Sequence, residues 1–209
     1  MMASASIERE MSAATFPIRD GVFVAVVGPS GAGKDTVIAY ARSRFGGEAR
    51  LDFVRRIITR PSDAASEDHD TLADAAFVEA EAGGAFAISW EAHGLRYGIP
   101  ADVDRSVSSG RVAIANVSRA IIPVLRDRYA NLAIVEITAS PEVLAERLAM
   151  RGRESRGEVL ARLARGANVT LSGPGVTSID NSGPREVAGE RFAQILRKAM
   201  AFSDISGLI

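Results

Sequence analysis

A glycine-rich segment near the N-terminus carries the residue spacing most closely tied to chemistry. In order, it reads Gly28, Pro29, Ser30, Gly31, Ala32, Gly33 and Lys34. This is the P-loop pattern GxxxxGK, in which backbone amides surround a phosphate, the following helix offers its positive end, and the lysine reaches the outer phosphates. An ordinary glycine turn is the alternative, but it predicts neither the lysine nor the full spacing. The segment therefore predicts a binding site for nucleotide phosphates, with Lys34 as a catalytic residue.

The next residues depart from the usual motif. Asp35 stands where a serine or threonine normally offers its hydroxyl to Mg²⁺, and Thr36 follows it. A carboxylate is a hard oxygen ligand suited to Mg²⁺, and a later apolar run ends in Asn116, where P-loop enzymes often carry an aspartate that orients the metal. We expect Asp35 to supply the negative charge that Asn116 lacks and to bind Mg²⁺ directly or through water. The alternative is that Asp35 only stabilises the helix N-terminus.

Buried strands and amphipathic helices must hold these residues in place. The continuously apolar, β-branched run at residues 22–27 predicts a buried strand, and comparable runs predict strands at residues 53–58, 112–117, 132–138 and 176–179. Helical patterns lie between and after them, at residues 34–44, 102–109, 141–150 and 185–200. Strands that are apolar throughout and alternate with helices are typical of a parallel sheet covered on both faces. The pattern predicts one α/β domain over residues 21–209, with inserted segments at about 60–100 and 151–168, preceded by a flexible leader of residues 1–20.

Composition excludes several classes of protein. The 209 residues include no cysteine, which removes disulfide scaffolds, thiolate catalysis and cysteine zinc sites and favours a cytoplasmic location. A net charge of −1 argues against general attraction to nucleic acid or to an anionic membrane. No apolar run is long enough to predict a membrane span. We therefore expect a small-molecule substrate and no nucleic-acid or membrane partner, and the sequence leaves a homodimer open.

Positive charge in this chain is almost entirely arginine. Lys34 and Lys198 are the only lysines among its 25 basic residues, and guanidinium groups grip phosphates through paired hydrogen bonds. Arg60 and Arg119 each follow the end of a predicted buried strand. Ligands of open parallel sheets collect at that edge, so we expect both arginines to bind phosphates of a second substrate.

Several dispersed segments resemble a known group of kinases. They are the P-loop at residues 28–34, Thr59-Arg60, Glu67, residues 86–90, Gly94, Tyr97-Gly98, Arg147-Leu148 and residues 151–154. Their order and spacing are similar to the guanylate kinase-like group over about residues 21–185. The resemblance implies a three-layer α/β P-loop NTPase fold of the nucleoside-monophosphate kinase type. It also implies an acceptor-binding subdomain at about 60–100 and a lid at about 147–168, in which Arg151 and Arg153 clamp ATP.

Three positions differ from guanylate kinase itself. Ser89 precedes Trp90 where guanylate kinases read guanine with a glutamate, Asp63 replaces a second phosphate-binding arginine, and His69 and Asp70 lie where a tyrosine is expected. The segments that do match are residues 33–35, 58–60, 66–69, 89–90, 92–95, 97–98 and 116–119. They resemble the ribose 1,5-bisphosphate phosphokinase family. That resemblance implies transfer of a phosphoryl group from ATP to ribose 1,5-bisphosphate, which gives 5-phosphoribosyl 1-diphosphate and ADP in phosphonate catabolism.

The expected acceptor site follows from the same residues. It comprises Arg60, Glu67, His69, Tyr97 and Arg119, with His69 on sugar hydroxyls and Tyr97 on a phosphate. An acceptor phosphate is already ionised at neutral pH, so the reaction needs alignment and charge neutralisation rather than a general base. Two alternatives remain: a guanylate kinase with an altered base pocket, and a non-catalytic interaction module of the same fold.

Overall fold

The structure is a computed structural model that describes residues 17–60, 69–150, 171 and 173–206. Its strands are β1 (Val22–Val27), β2 (Leu51–Phe53), β3 (Arg56–Ile58), β4 (His69–Thr71), β5 (Phe86–Ala92), β6 (Leu95–Pro100), β7 (Val112–Asn116), β8 (Leu132–Thr138) and β9 (Val176–Asp180). Its α-helices are α1 (Lys34–Phe45), α2 (Asp74–Ala82), α3 (Asp102–Ser108), α4 (Ile122–Arg128), α5 (Pro141–Met150) and α6 (Arg185–Ser206). A 3₁₀ turn, Arg119–Ile121, precedes α4.

A five-stranded parallel sheet forms the centre of the fold. Its strand order is β2-β7-β1-β8-β9, and every pairing between neighbours is parallel. All six residues of β1 are buried, as expected for the central strand of a sheet that is covered on both faces. The carboxyl ends of β1, β7, β8 and β9 meet at one edge, and that edge carries the P-loop.

Helices cover both faces of this sheet. Val24 of β1 packs in one buried cluster with Phe192 and Leu196 of α6. Phe23 belongs to a second cluster on the opposite face, together with Leu125 of α4. The three-layer α/β P-loop fold predicted from the sequence is confirmed.

A second, four-stranded sheet stands beside the first, with the order β4-β3-β6-β5. β5 and β6 form an antiparallel hairpin whose two-residue turn, His93 and Gly94, has φ angles of 54° and 71°. Left-handed backbone at both positions is the turn geometry that matches the twist of paired strands. α2 covers one face of this sheet, where Phe77 stacks on Phe86. Ile88 lies in the same buried cluster as Phe23, so the other face packs against the main sheet.

The predicted strand at residues 53–58 is two strands in the structure. β2 ends at Phe53, the amide of Val54 donates a last hydrogen bond to the carbonyl of Ile114 at 2.9 Å, and the chain then enters the second sheet as β3. Apolar residues flank this crossing, and Arg55 and Arg56 interrupt the hydrophobic pattern within it. Within the described ranges, no helix is long and apolar enough to cross a membrane.

Candidate active site

The P-loop joins β1 to α1 through three glycines in left-handed or extended positive-φ conformations. Gly28, Gly31 and Gly33 have φ angles of 144°, 85° and 86°. A Cβ at Gly28 would lie 2.1 Å from the carbonyl oxygen of Ile137 on β8. Only glycine fits this path, which lets the loop turn its amides inward at the start of α1. Pro29, Ser30 and Ala32 complete the loop, with Ser30 exposed and Ala32 buried.

Lys34 is the first residue of α1 and reaches back over the loop. Its Nζ donates to the carbonyl oxygens of Gly28 at 2.9 Å and Pro29 at 3.0 Å. The ammonium group therefore lies against the backbone of the loop. This is the position from which a lysine neutralises charge on the outer phosphates of a bound nucleotide.

Two residues hold the P-loop from outside, and sequence analysis did not identify this role. Asn181, only 3% exposed, donates from Nδ2 to the carbonyl oxygen of Ala32 at 2.8 Å. Arg147 of α5 donates to the carbonyl oxygen of Asn181 at 2.9 Å, and to those of Gly31 and Ala32 at 3.4 Å. A Cβ at Gly33 would lie 2.5 Å from Asn181 Nδ2, so there is no room for a side chain at residue 33. Asn181 directly follows β9, and the position after a strand end, which singled out Arg60 and Arg119, would also have pointed to it.

Asp35 and Asn116 lie in direct contact, as their proposed shared role requires. Asn116 Nδ2 donates to Asp35 Oδ1 at 2.7 Å. The Oδ1 atom of Asn116 is buried and accepts no hydrogen bond from the described residues. Thr36 follows in the first turn of α1 and is exposed. Carboxylate, amide and hydroxyl oxygens here fit the hard-oxygen preference of Mg²⁺.

These oxygens are too few to enclose a metal by themselves. Among the described residues, no three histidine, aspartate or glutamate side chains converge as a metal site. Mg²⁺ typically takes one or two protein ligands and completes its shell with substrate phosphates and water. The donor set therefore fits a metal that arrives with a nucleotide.

One face of the second sheet carries polar and aromatic side chains near the carboxyl edge of the main sheet, where the P-loop lies. Arg56 of β3 pairs with His69 of β4, and Tyr97 of β6 pairs with both Ile58 and Trp90. Because cross-strand partners share a face and alternate residues of a strand do too, these side chains project together. His69 is 4% exposed, and the rings of Tyr97 and Trp90 stack with centroids 5.2 Å apart. The structure thus brings the predicted residues His69 and Tyr97 onto one surface.

Arg60 and Arg119 occupy different surroundings. Arg60 follows β3, and the hydroxyl of Thr71 donates to its carbonyl oxygen at 3.0 Å. Arg119 begins the 3₁₀ turn after β7, and its Nη2 lies 2.9 Å from Oε1 of Glu136, a fully buried carboxylate on β8. Arg119 therefore has a protein counterion of its own, which sequence analysis did not anticipate because Glu136 lies within an otherwise apolar strand.

The remaining predicted site residues, Glu67, Arg151 and Arg153, lie outside the described residues. The predicted lid at 147–168 overlaps the described part of the chain only through its first four residues, which end α5. Ser89, at the position that distinguishes this chain from guanylate kinase, pairs with Gly98 and donates from its hydroxyl to Glu81 of α2. It therefore lies on the face of the second sheet opposite to Tyr97.

Comparison with known proteins identifies the family. No protein-family model matches the chain. A protein of Chelativorans sp. named ribose 1,5-bisphosphate phosphokinase PhnN is 57% identical over 209 residues, which is all of both chains. A protein of the same name from Agrobacterium fabrum is 46% identical over 180 residues, covering 86% of this chain and 98% of its own.

A solved structure supports the fold alone. The guanylate kinase of Anaplasma phagocytophilum superposes with a TM-score of 0.59 at 17% identity, covering 86% of each chain. This similarity agrees with the parallel sheet and P-loop described above. The 46–57% identity to two proteins of one name, over the full length in one case, is the more specific finding, and the chain belongs to the ribose 1,5-bisphosphate phosphokinase family.

Proposed function

We propose that this kinase transfers the γ-phosphoryl group of ATP to the 1-phosphate of ribose 1,5-bisphosphate, which forms 5-phosphoribosyl 1-diphosphate and ADP in phosphonate breakdown. The observation that carries the proposal is an intact P-loop, with Lys34 donating across it, in a chain 57% identical over its whole length to a protein named for this substrate. A non-catalytic module would have no need of the lysine or of the three constrained glycines.

On the donor side, the loop amides and Lys34 bind the outer phosphates of ATP. Arg147 and Asn181 fix the loop carbonyls, so the amides point inward before the nucleotide arrives. Such preorganisation favours the transition state because little protein rearrangement is needed as charge develops. Arg151 and Arg153 complete the donor site in this proposal as guanidinium groups that clamp the phosphates.

Asp35 and Asn116 are the residues that would hold Mg²⁺. In the hydrogen bond between them, the amide nitrogen of Asn116 points at Asp35. The amide oxygen of Asn116 is left as a buried atom that could coordinate the metal. When bound, the metal supplies positive charge that neutralises the transferring phosphoryl group. Asp35 compensates here for the neutral amide at residue 116.

On the acceptor side, the proposal places the sugar bisphosphate along the second sheet. In this proposal, Arg60 and Tyr97 bind a phosphate group of the sugar bisphosphate. His69 and Glu67 bind hydroxyl groups of the sugar. No general base is assigned, because the attacking phosphate oxygen is already ionised at neutral pH. Arg119, paired with Glu136, lies at the end of β7 and contributes positive charge at the same edge. Catalysis then consists of alignment and charge neutralisation for an in-line transfer.

A coupled assay for ADP across phosphorylated acceptors tests the proposal. The panel contains ribose 1,5-bisphosphate, ribose 5-phosphate, GMP and AMP, and phosphorus NMR identifies the product. We expect rapid turnover of the sugar bisphosphate with a new diphosphate signal, and near-complete loss of activity in Lys34→Ala with an unchanged circular dichroism spectrum. Turnover of GMP alone would instead establish a guanylate kinase, and absence of turnover with every acceptor would favour the non-catalytic module.

A further inference from the structure

Glu136 is a fully buried carboxylate in a strand that is otherwise apolar up to its last residue, Thr138. Both of its carboxylate oxygens have a partner. Oε1 lies 2.9 Å from Nη2 of Arg119, and Oε2 accepts a hydrogen bond from the backbone amide of Leu171 at 3.1 Å. These two contacts hold the carboxylate in one orientation, and through it they hold the guanidinium of Arg119.

Stability alone gives no reason for a charge at this position. Moving a carboxylate out of water is costly, and the attraction within a buried ion pair often does no more than offset that cost. Apolar side chains of similar volume usually pack as well, and β8 carries them in Ile134 and Ile137. The place of the ion pair in the fold points to a role in the reaction.

The ion pair lies beside the start of the P-loop. Arg119 follows the end of β7, Glu136 belongs to β8, and β1 runs between these two strands. Glu136 is the register partner of Val27, which directly precedes Gly28. The side chain of Arg119 therefore reaches across the carboxyl end of β1, where the P-loop begins.

The same ion pair lies on the face of the main sheet that meets the second sheet. Val27 and its register partner Glu136 share a face, and Val27 belongs to the buried cluster that contains Ile88 of β5. The P-loop is the proposed donor side, and the second sheet is the proposed acceptor side. Arg119 thus stands at the junction between them.

The ion pair also has a fixed polarity. Glu136 is fully buried, whereas the side chain of Arg119 is 33% exposed, so the negative end points into the core and the positive end points to the edge of the sheet. Resting on the proposed function, we propose that Glu136 is a positioning residue that holds the charge of Arg119 at the path of phosphoryl transfer. Charge that is fixed before the reaction stabilises the transition state without protein rearrangement. It acts through its field, so it needs no direct hydrogen bond to the substrate.

A double-mutant cycle on kcat tests this assignment. The enzymes compared are the wild type, Arg119→Gln, Glu136→Gln and the double variant, each with saturating ATP and ribose 1,5-bisphosphate. We expect each single substitution to lower kcat about 10- to 100-fold, with smaller changes in either KM, because the field acts on charge that develops in the transition state. The double variant should be no slower than Arg119→Gln, since Glu136 acts only through that arginine.

Two further variants separate positioning from stability. Asp104→Asn breaks a comparable ion pair, in which Nε of Arg128 donates to Asp104 at 3.0 Å. That pair lies at the other end of the sheet, beside Tyr129, which stacks on Phe23 near the start of β1. Asp104→Asn should lower the melting temperature and leave kcat unchanged. Glu136→Asp keeps the charge and should lose less activity than Glu136→Gln, and it takes the place of Glu136→Gln in the cycle if that variant does not fold.

Wild-type kcat in Glu136→Gln, or single losses that multiply in the double variant, would overturn the positioning role. A loss in Glu136→Gln without one in Arg119→Gln, or an equal loss in Asp104→Asn, would also overturn it. Each of these results leaves the proposed function in place, because the wild type still phosphorylates the sugar bisphosphate. A wild type that is inactive with this acceptor would overturn both.

Discussion

Asn181→Ala tests whether the P-loop is held in place by the residue that follows β9. The substitution removes a buried amide that donates to Ala32 at 2.8 Å and leaves that carbonyl oxygen with only the longer contact from Arg147 at 3.4 Å. A buried acceptor that loses its short hydrogen bond costs about 1–3 kcal/mol. Taking about 2 kcal/mol, the melting temperature of a chain this size should fall by about 4 to 8 °C. The contact from Arg147 survives, because it is made to the backbone of residue 181.

The functional effect should exceed the effect on stability. Small displacements of groups that position a substrate can cost up to about 100-fold in rate, so we expect kcat/KM for ATP to fall about 10- to 100-fold. Initial-rate kinetics measure this fall at a temperature well below the melting transition of the variant. The acceptor KM should change little, since Asn181 contacts the donor loop and not the second sheet.

Asn131→Ala is the matched control for this variant. Asn131 lies at the opposite end of β8, where its Nδ2 donates to the carbonyl oxygens of Arg19 and Gly21. It should lower the melting temperature by a similar amount and leave KM for ATP unchanged. If Asn181→Ala lost stability but kept the wild-type kcat/KM for ATP, the loop would not depend on this amide, and the positioning role would be refuted.

Three further predictions follow from contacts near the site and in the core. Asp35→Ser should raise the Mg²⁺ concentration that gives half-maximal rate, and an unchanged Mg²⁺ titration would contradict a metal role for Asp35. Glu136→Gln should lower the free energy of unfolding by about 1.5 kcal/mol, because it removes the charged partner of Arg119, whose own side chain is 33% exposed; an unchanged urea midpoint would contradict this. Burial and the hydrogen bond to Asp104 raise the pKa of Tyr129 above its usual value of 10.0. The resulting stabilisation is present below pH 10 and is lost as the pH rises above it. A tyrosinate absorbance titration should therefore show one late-ionising tyrosine fewer in Tyr129→Phe, and identical titrations would contradict the assignment.

The elements that sequence analysis predicted well are those whose surroundings are uniform along their length. β1 is buried throughout and consists of an unbroken apolar run, and β8 is apolar apart from Glu136 and Thr138, so their bounds in the sequence and in the structure agree. The P-loop was also predicted from the sequence, because its backbone path admits only glycine at defined positions. Features of this kind depend on residues that are neighbours in the chain, so one sequence is enough to predict them.

Features that depend on distant partners were not predicted. The break between β2 and β3 reflects a change of sheet; Arg55 and Arg56 interrupt the apolar run there, but two charged residues do not by themselves show that the chain enters another sheet. The hairpin turn His93-Gly94 was overlooked because its first position is a histidine instead of the asparagine or aspartate that usually accepts a left-handed backbone. The ion pair of Glu136 was not predicted either, because its counterion, Arg119, lies in the segment after β7 and is distant in the sequence.

Asp35 contacts residues of both sheets. These contacts give a reason for a carboxylate at the position where P-loop proteins usually carry a serine or threonine hydroxyl. It accepts a hydrogen bond from Asn116 on the main sheet and faces Arg56, from the second sheet, at 3.9 Å. A guanidinium that is 12% exposed needs a nearby negative charge, which a serine or threonine would not supply. We therefore propose that the aspartate serves the acceptor side as well as the metal. On this reasoning Asp35→Ser should raise KM for the sugar bisphosphate in addition to the Mg²⁺ requirement, whereas a residue that served the metal alone would change only the latter.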